Sequence, residues 1–324
     1  MSRFPEPYHT AELPFYLDNS MISTFRSCKR KFFHSYILGL NASGRNIHLI
    51  AGGAFAAGID AARRAAFAGA THIDDQLHAA FRAFTAEWQG NFKDADGSPM
   101  APDLFPDESK SFTNTFASLE EYLYQFPPLR DEVQPLRNPD GSPTVEFSFA
   151  IPLDQPAPHP SGTPFTYVGR FDMLGSWTGL PVVLDEKTTS GLGPFWLAQW
   201  SLRSQFMGYC WACQQMGYPV SHAFVRGVAI LKRSTTFLTA PVTYPQFLID
   251  RWFDELVITI NDIRNCWNEF EQTGSPHRFG YNFAEACAAY GGCAFTPICQ
   301  ASSPERWVPS YDIKRWNPLH KGAE

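Results

Sequence analysis

The chain has 324 residues, 44% hydrophobic and 18% charged, with a formal net charge of −6. This is enough apolar material for a sizeable core, and the low charge content with an even spread of Pro and Gly excludes long disordered tracts. An acidic balance excludes a general DNA-coating protein, which would be basic, but leaves open an enzyme whose phosphate contacts are local.

The N-terminal MSRFPEPYHTAELPF lacks the apolar stretch of a secretory leader, and no apolar run is long enough to span a bilayer. A cytoplasmic location without a membrane partner is therefore expected. Seven cysteines, an odd number, then point to metal binding or buried thiols rather than disulfides.

In chain order, residues 1–16 read as an extended arm. Ser23 and Thr24 can cap a helix that runs to about Leu38, with Phe25, Phe32, Phe33 and Tyr36 at helical spacing. Residues 50–69, 74–89 and about 111–126 give three further helices, with a Gly-, Asp- and Pro-containing loop over 94–108. Near residue 143 the period changes, and TVEFSFAIPL alternates like a half-buried strand. After a Pro-rich loop at 154–164, FTYVGRFDML and PVVLDEKTT read as two strands joined around Thr178–Gly179. Residues 195–216 return to helix, HAFVRGVAIL is a strand, 244–272 is a long helix, and 273–324 is a Pro-, Gly- and Cys-rich tail. This order predicts an α/β fold, a sheet flanked by helices with an N-terminal helical section packed on it.

Asp172 ends one apolar strand, and Asp185, Glu186 and Lys187 end the next. Adjacent strands lie about 4.8 Å apart, so two carboxylates at their ends can share a divalent ion. Alternation puts Asp185 and Lys187 on one face and Glu186 on the other. Hard carboxylate oxygens suit Mg²⁺ or Mn²⁺, which polarise a phosphodiester and lower the pKa of a bound water. A neighbouring lysine can orient that water or stabilise developing charge. Read alone, these residues are equally a plain strand end and a surface charge pair, because D-x-K strings are common by chance. On the next helix Gln205 and Tyr209 stand four apart and share a face.

Strand-Asp, strand-Asp-Glu-Lys, helix-Gln-x3-Tyr resembles, in that order, the RecB-like branch of the PD-(D/E)XK nucleases, including CRISPR-associated and phage-encoded exonucleases. The opening ISTFRSCKRKFFHSYILGL and the following GGAFAAGID resemble that branch's first two helices. The resemblance implies a restriction-endonuclease-like central mixed sheet, Asp172 and Asp185 as metal ligands together with the Glu186 carbonyl, Lys187 as catalytic, and Gln205 and Tyr209 contacting the site or DNA. One departure stands out: Ala56 occupies the place of the family's metal-binding histidine. Asp60, one turn on, and Glu146, on the first strand, are candidate substitutes, though each also reads as a solvent-facing residue.

Cys287, Cys293 and Cys299 are evenly spaced in CAAYGGCAFTPIC, and Cys28 lies in the opening helix. Their spacing alone matches no standard zinc site. The resemblance implies a [4Fe–4S] cluster held by all four, with zinc as the lesser alternative. The expected organisation is an arm (1–16), a nuclease domain (17–272) with a helical insertion over about 60–135, and a Cys-rich segment (273–324) docked on the N-terminal helix. Cys210, Cys213 and Cys266 read as packed thiols. The cluster Arg26, Lys29, Arg30, Lys31 and His34 reads either as a solvated helix face or as a phosphate-contacting edge. No aromatic residue is assigned to base stacking.

The implied function is a metal-dependent DNA nuclease, exonucleolytic in mode, serving recombination, repair or CRISPR-like processing in a bacterium or phage. DNA is the implied partner, with recombination or CRISPR-type proteins and a second copy of the chain as further candidates. The alternative is a nuclease-fold DNA-binding adaptor that lost activity with the histidine. A cysteine-dependent hydrolase is disfavoured, because no cysteine sits in a Cys–His arrangement.

Overall fold

The computed structural model describes residues 4, 7–41, 46–93, 96–100, 105–283, 285–288 and 292–319. In chain order the elements are β1 (Tyr16–Leu17), α1 (Asn19–Ser27), α2 (Lys29–Phe32) running into a π-helical turn (Phe33–Ile37), β2 (Leu40–Asn41), α3 (Ile47–Phe67), α4 (Ile73–Asn91), α5 (Phe112–Gln125), β3 (Val133–Pro135), β4 (Val145–Pro152), β5 (Thr166–Trp177), β6 (Leu180–Thr189), α6 (Pro194–Ala198), α7 (Ser204–Gln215), β7 (His222–Ile230), β8 (Thr235–Thr243), α8 (Gln246–Thr273), α9 (Thr296–Gln300) and β9 (Asp312–Ile313). The chain forms two compact units: Met1–Gly44, Ser148–Gly169 and Asp250–Glu324 in the first, and Arg45–Phe147 and Arg170–Ile249 in the second.

The second unit holds the central mixed sheet. Within it β5 pairs antiparallel with β3 and β6, β6 pairs parallel with β7, and β7 pairs antiparallel with β8. The β5–β6 hairpin turns through Thr178 (φ 49°) and Gly179 (φ 88°), the two left-handed residues that match the twist of paired strands. Helices α3, α4 and α5 cover one face. Phe55, Ile59, Phe84, Trp88, Leu119 and Tyr122 pack with Val228 and Ile230 of β7 in one buried core. Helix α7 is buried from Phe206 to Cys213.

The first unit brings together early and late segments of the chain. Asp18 caps α1 by accepting from the Met21 N–H (2.8 Å) and also accepts from the Trp316 indole (2.7 Å). β1 pairs parallel with Thr166–Tyr167, and β2 pairs with β9. Phe33 packs its ring against Phe270 and Phe279.

Four sequence expectations change. The opening helix begins at Asn19 with Asp18 as its cap rather than at Ser23, and it breaks at Cys28, which is extended (φ −159°) and caps a second short helix. The helix expected over 195–216 is two, α6 and α7. Strand β8 went unread because TTFLTAPVT is polar and carries Pro241, which an edge strand tolerates. Glu146 is no solvent-facing strand residue: its backbone is left-handed (φ 51°), and its largely buried carboxylate pairs with Arg170 at 2.9 Å.

Candidate active site

The register explains how β5 and β6 bring the acids together. Their ladder runs from Trp177–Leu180 to Met173–Leu184. Just past it the Glu186 N–H donates to Asp172 Oδ2 at 2.6 Å, so a carboxylate takes the place of a strand carbonyl. Asp185 is 2% exposed and is ion-paired through Oδ2 with the Lys187 ammonium. A third of the Lys187 side chain remains exposed, which leaves the ammonium reachable from solvent.

Burial, then the neighbouring Asp185 and Glu186, hold the Asp172 carboxyl well above its ordinary value. Burial likewise raises Asp185, against the opposing pull of Lys187. Burial disfavours the Lys187 charge, but Asp185 and then Asp172 outweigh it and raise its pKa. Two crowded, desolvated carboxyls of this kind favour an added cation.

Gln205 and Tyr209 reach the site through the main chain. The Gln205 amide donates to the Tyr209 hydroxyl (2.8 Å), which donates to the Arg170 carbonyl (2.8 Å), two residues before Asp172. The pair grips β5 rather than a carboxylate. The Tyr209 ring lies 5.0 Å from that of Phe171.

The opposite face of β6 carries a network that sequence reasoning missed. The Arg63 guanidinium donates to both Glu186 oxygens (2.5 and 3.2 Å), and Tyr122 donates to Oε1 (2.7 Å). Arg226, completely buried on β7, donates to the Tyr122 hydroxyl (3.0 Å) and forms a fork with Asp131 (2.7 and 2.9 Å). Burial alone would raise the Glu186 carboxyl, but Arg63 holds it down to about 2. Two signals were available: a lone arginine inside the apolar HAFVRGVAIL, and Glu186 itself on the face opposite Asp185. Lys110, also missed, is buried and donates to Thr188 Oγ1 (2.9 Å), and burial pushes it down to about 8.

Helix α3 runs along this face of β6, from Gly52, where an added Cβ would lie 3.4 Å from Thr188 Oγ1, to Arg63 at Glu186. Ala56, one turn beyond Gly52, is half-buried and offers no ligand. Asp60 pairs with Arg64 at 2.8 Å. Among the described residues no three His, Cys, Asp or Glu side chains converge as a ready metal site. A pair of carboxylates still fits magnesium, which commonly takes one or two of them and fills its remaining positions with water and phosphate oxygens.

In the first unit, Cys28, Cys287, Cys293 and Cys299 line one cavity of about 230 Å³, together with Lys31 and Tyr281. Burial, then Cys293 and Cys28, push the Cys299 thiol up to about 11. Among the described residues these thiols do not converge as a ready metal site. Cys210, Cys213 and Cys266 are buried away from this cavity, and burial raises each.

The basic cluster is largely spent on packing rather than forming a free phosphate edge. Arg26 donates to Thr259 and the Glu255 carbonyl, Lys29 pairs with Asp262, and Arg30 stacks over Tyr281. His34 is buried, and burial drops it to about 3.

Crowded carboxyls thus stand beside a lysine on a mixed sheet flanked by helices. The model of the PD-(D/E)XK nuclease superfamily matches residues 19–300, and the chain belongs to that superfamily. No curated protein matches the chain. Members of this superfamily are typically nucleases and generally use Mg²⁺ or Mn²⁺. Among the described residues no helix is long and apolar enough to cross a membrane.

Proposed function

We propose that the protein is a metal-dependent deoxyribonuclease whose reacting groups are Asp172, Asp185 and Lys187. The observation that carries this reading is the pairing of two desolvated carboxyls with an accessible lysine at the ends of β5 and β6. Asp172, Asp185 and the Glu186 carbonyl would hold a divalent ion, which supplies Lewis acidity and an acidified water. The Lys187 ammonium orients the attacking water and stabilises negative charge on the non-bridging phosphate oxygens as the new P–O bond forms and the bond to the leaving oxygen breaks. Gln205 and Tyr209 fix the strand that carries Asp172. Arg63 and Tyr122 fix Glu186, and through its N–H the Asp172 carboxylate.

The mode is exonucleolytic and the setting is DNA recombination, repair or CRISPR-like processing, on the resemblance of the motif order. Cys28, Cys287, Cys293 and Cys299 would hold a [4Fe–4S] cluster, supported by their shared cavity. Seven free thiols suit a reducing cytoplasm. The second reading, an inactive DNA-binding adaptor, draws on Ala56. One assay separates the two readings. End-labelled DNA with Mg²⁺ or Mn²⁺ is shortened by the wild type and left intact by Asp185→Ala, whereas an adaptor binds the DNA and never shortens it.

A further inference from the structure

Acidic residues are 32 of 324, yet none occurs in the 62 residues from Thr188 to Ile249, where the chain average would put about six. The cations of this stretch are Arg203, Arg226, Lys232 and Arg233. Arg226 is consumed by Asp131, but the other three are exposed, and among the described residues none of them has a carboxylate partner.

The fold collects these groups at one end of the sheet. In the parallel β6–β7 ladder Lys187 stands beside Gly227 and Thr189 beside Ala229. Strand β7 ends at Ile230, and the turn closed by the Leu231 N–H to the Ser234 carbonyl (3.0 Å) carries Lys232 and Arg233. The segment 190–203 folds back over the same end. A Cβ added at Gly227 would lie 2.4 Å from both Leu192 Cδ2 and Trp196 Cζ2, so the Trp196 ring sits on the residue beside Lys187. Trp196 and Trp200 are buried and meet edge to face at 5.3 Å. On either side of these anchors Phe195 is 92% exposed and Leu202 71% exposed, with Arg203 stacked on Trp200. A phenyl ring held open to water beside two buried tryptophans is costly to leave uncovered, and the exposed cations of this acid-free stretch of chain suit a polyanion with flat faces.

Resting on the nuclease reading above, we infer that segment 190–203 and the 231–234 turn receive an unpaired DNA strand next to Lys187. Phe195 stacks on a base, while Arg203, Lys232 and Arg233 contact phosphates. Base–aromatic stacking requires an unstacked base, so the site selects single-stranded ends over blunt duplex.

The test is fluorescence anisotropy of the full-length protein with a labelled single-stranded oligonucleotide and a blunt duplex, in buffer without divalent ions. The wild type prefers the single strand. Phe195→Ala weakens single-strand binding by roughly tenfold, leaves the duplex unchanged, and Phe195→Trp restores affinity. Lys232→Ala with Arg233→Ala flattens the slope of log K against log salt for the single strand by about 1.4, at about 0.7 per phosphate contact. Equal single-strand binding by Phe195→Ala, or an unchanged salt slope, overturns the inference. So does sedimentation showing a dimer that Phe195→Ala dissolves, since the ring then covers a second copy. Cleavage by the wild type with Mn²⁺ is scored separately: cleavage without stacking sinks only this inference, and stacking without cleavage sinks only the catalytic reading.

Discussion

The carboxylate–lysine site and the thiol cavity are built in opposite ways. Asp172, Asp185 and Lys187 come from two strands joined by a tight hairpin, and they are held by the Glu186 N–H on Asp172 and the Asp185–Lys187 ion pair within β6. The cysteines come from opposite ends of the sequence, about 260 positions apart, and line one cavity. The first site is preorganised by local geometry and two buried arginines. The second brings together segments whose loop closure is entropically costly, which a bound group would offset.

The largest expected effect probes the preorganised site. Arg63→Ala leaves the Glu186 carboxylate buried without its cation and should destabilise the protein by about 3–5 kcal/mol, measured by chemical denaturation. Glu186→Gln added to Arg63→Ala should recover part of that loss. If the single variant is as stable as the wild type, the clamp contributes nothing and the contrast fails.

The thiol cavity should respond differently. Cys293→Ser or Cys299→Ser should cut the iron content of protein purified without oxygen and open the tail to protease, while Cys213→Ser should do neither. Elemental analysis and limited proteolysis read both effects. Protein holding neither iron nor zinc would remove the cavity's proposed role.

A smaller effect is pH-dependent. His34 stays neutral in the folded chain to about pH 3, whereas the unfolded imidazole takes a proton below about pH 6.5. The unfolded state then binds more protons, so stability should fall as pH drops from 6.5 towards 3, by up to about 1.4 kcal/mol per unit. His34→Phe should flatten that fall in thermal melts between pH 7 and 5. An identical pH profile in the variant would locate the acid sensitivity elsewhere.

Much of this was legible before any coordinates. Alternation revealed β4, apolar runs revealed β5, β6 and β7, and the strand period of two put Asp185 and Lys187 on the face opposite Glu186. Strand β8 was hidden by Thr and Pro241, and the break at Cys28 by an unbroken aromatic pattern around it. The basic opening helix left two readings open, since charge in a sequence does not reveal that Arg26 and Lys29 meet partners more than 200 positions away. Arg63, Tyr122 and Asp131 were invisible as a group because only the folded chain brings them to Glu186.

The most direct test of the catalytic account uses Lys187→Ala, which keeps both carboxyls. Calorimetry should show Mn²⁺ binding retained, while end-labelled DNA cut by the wild type should survive at least a hundredfold longer with the folded variant. Cleavage by that variant at the wild-type rate would contradict the account.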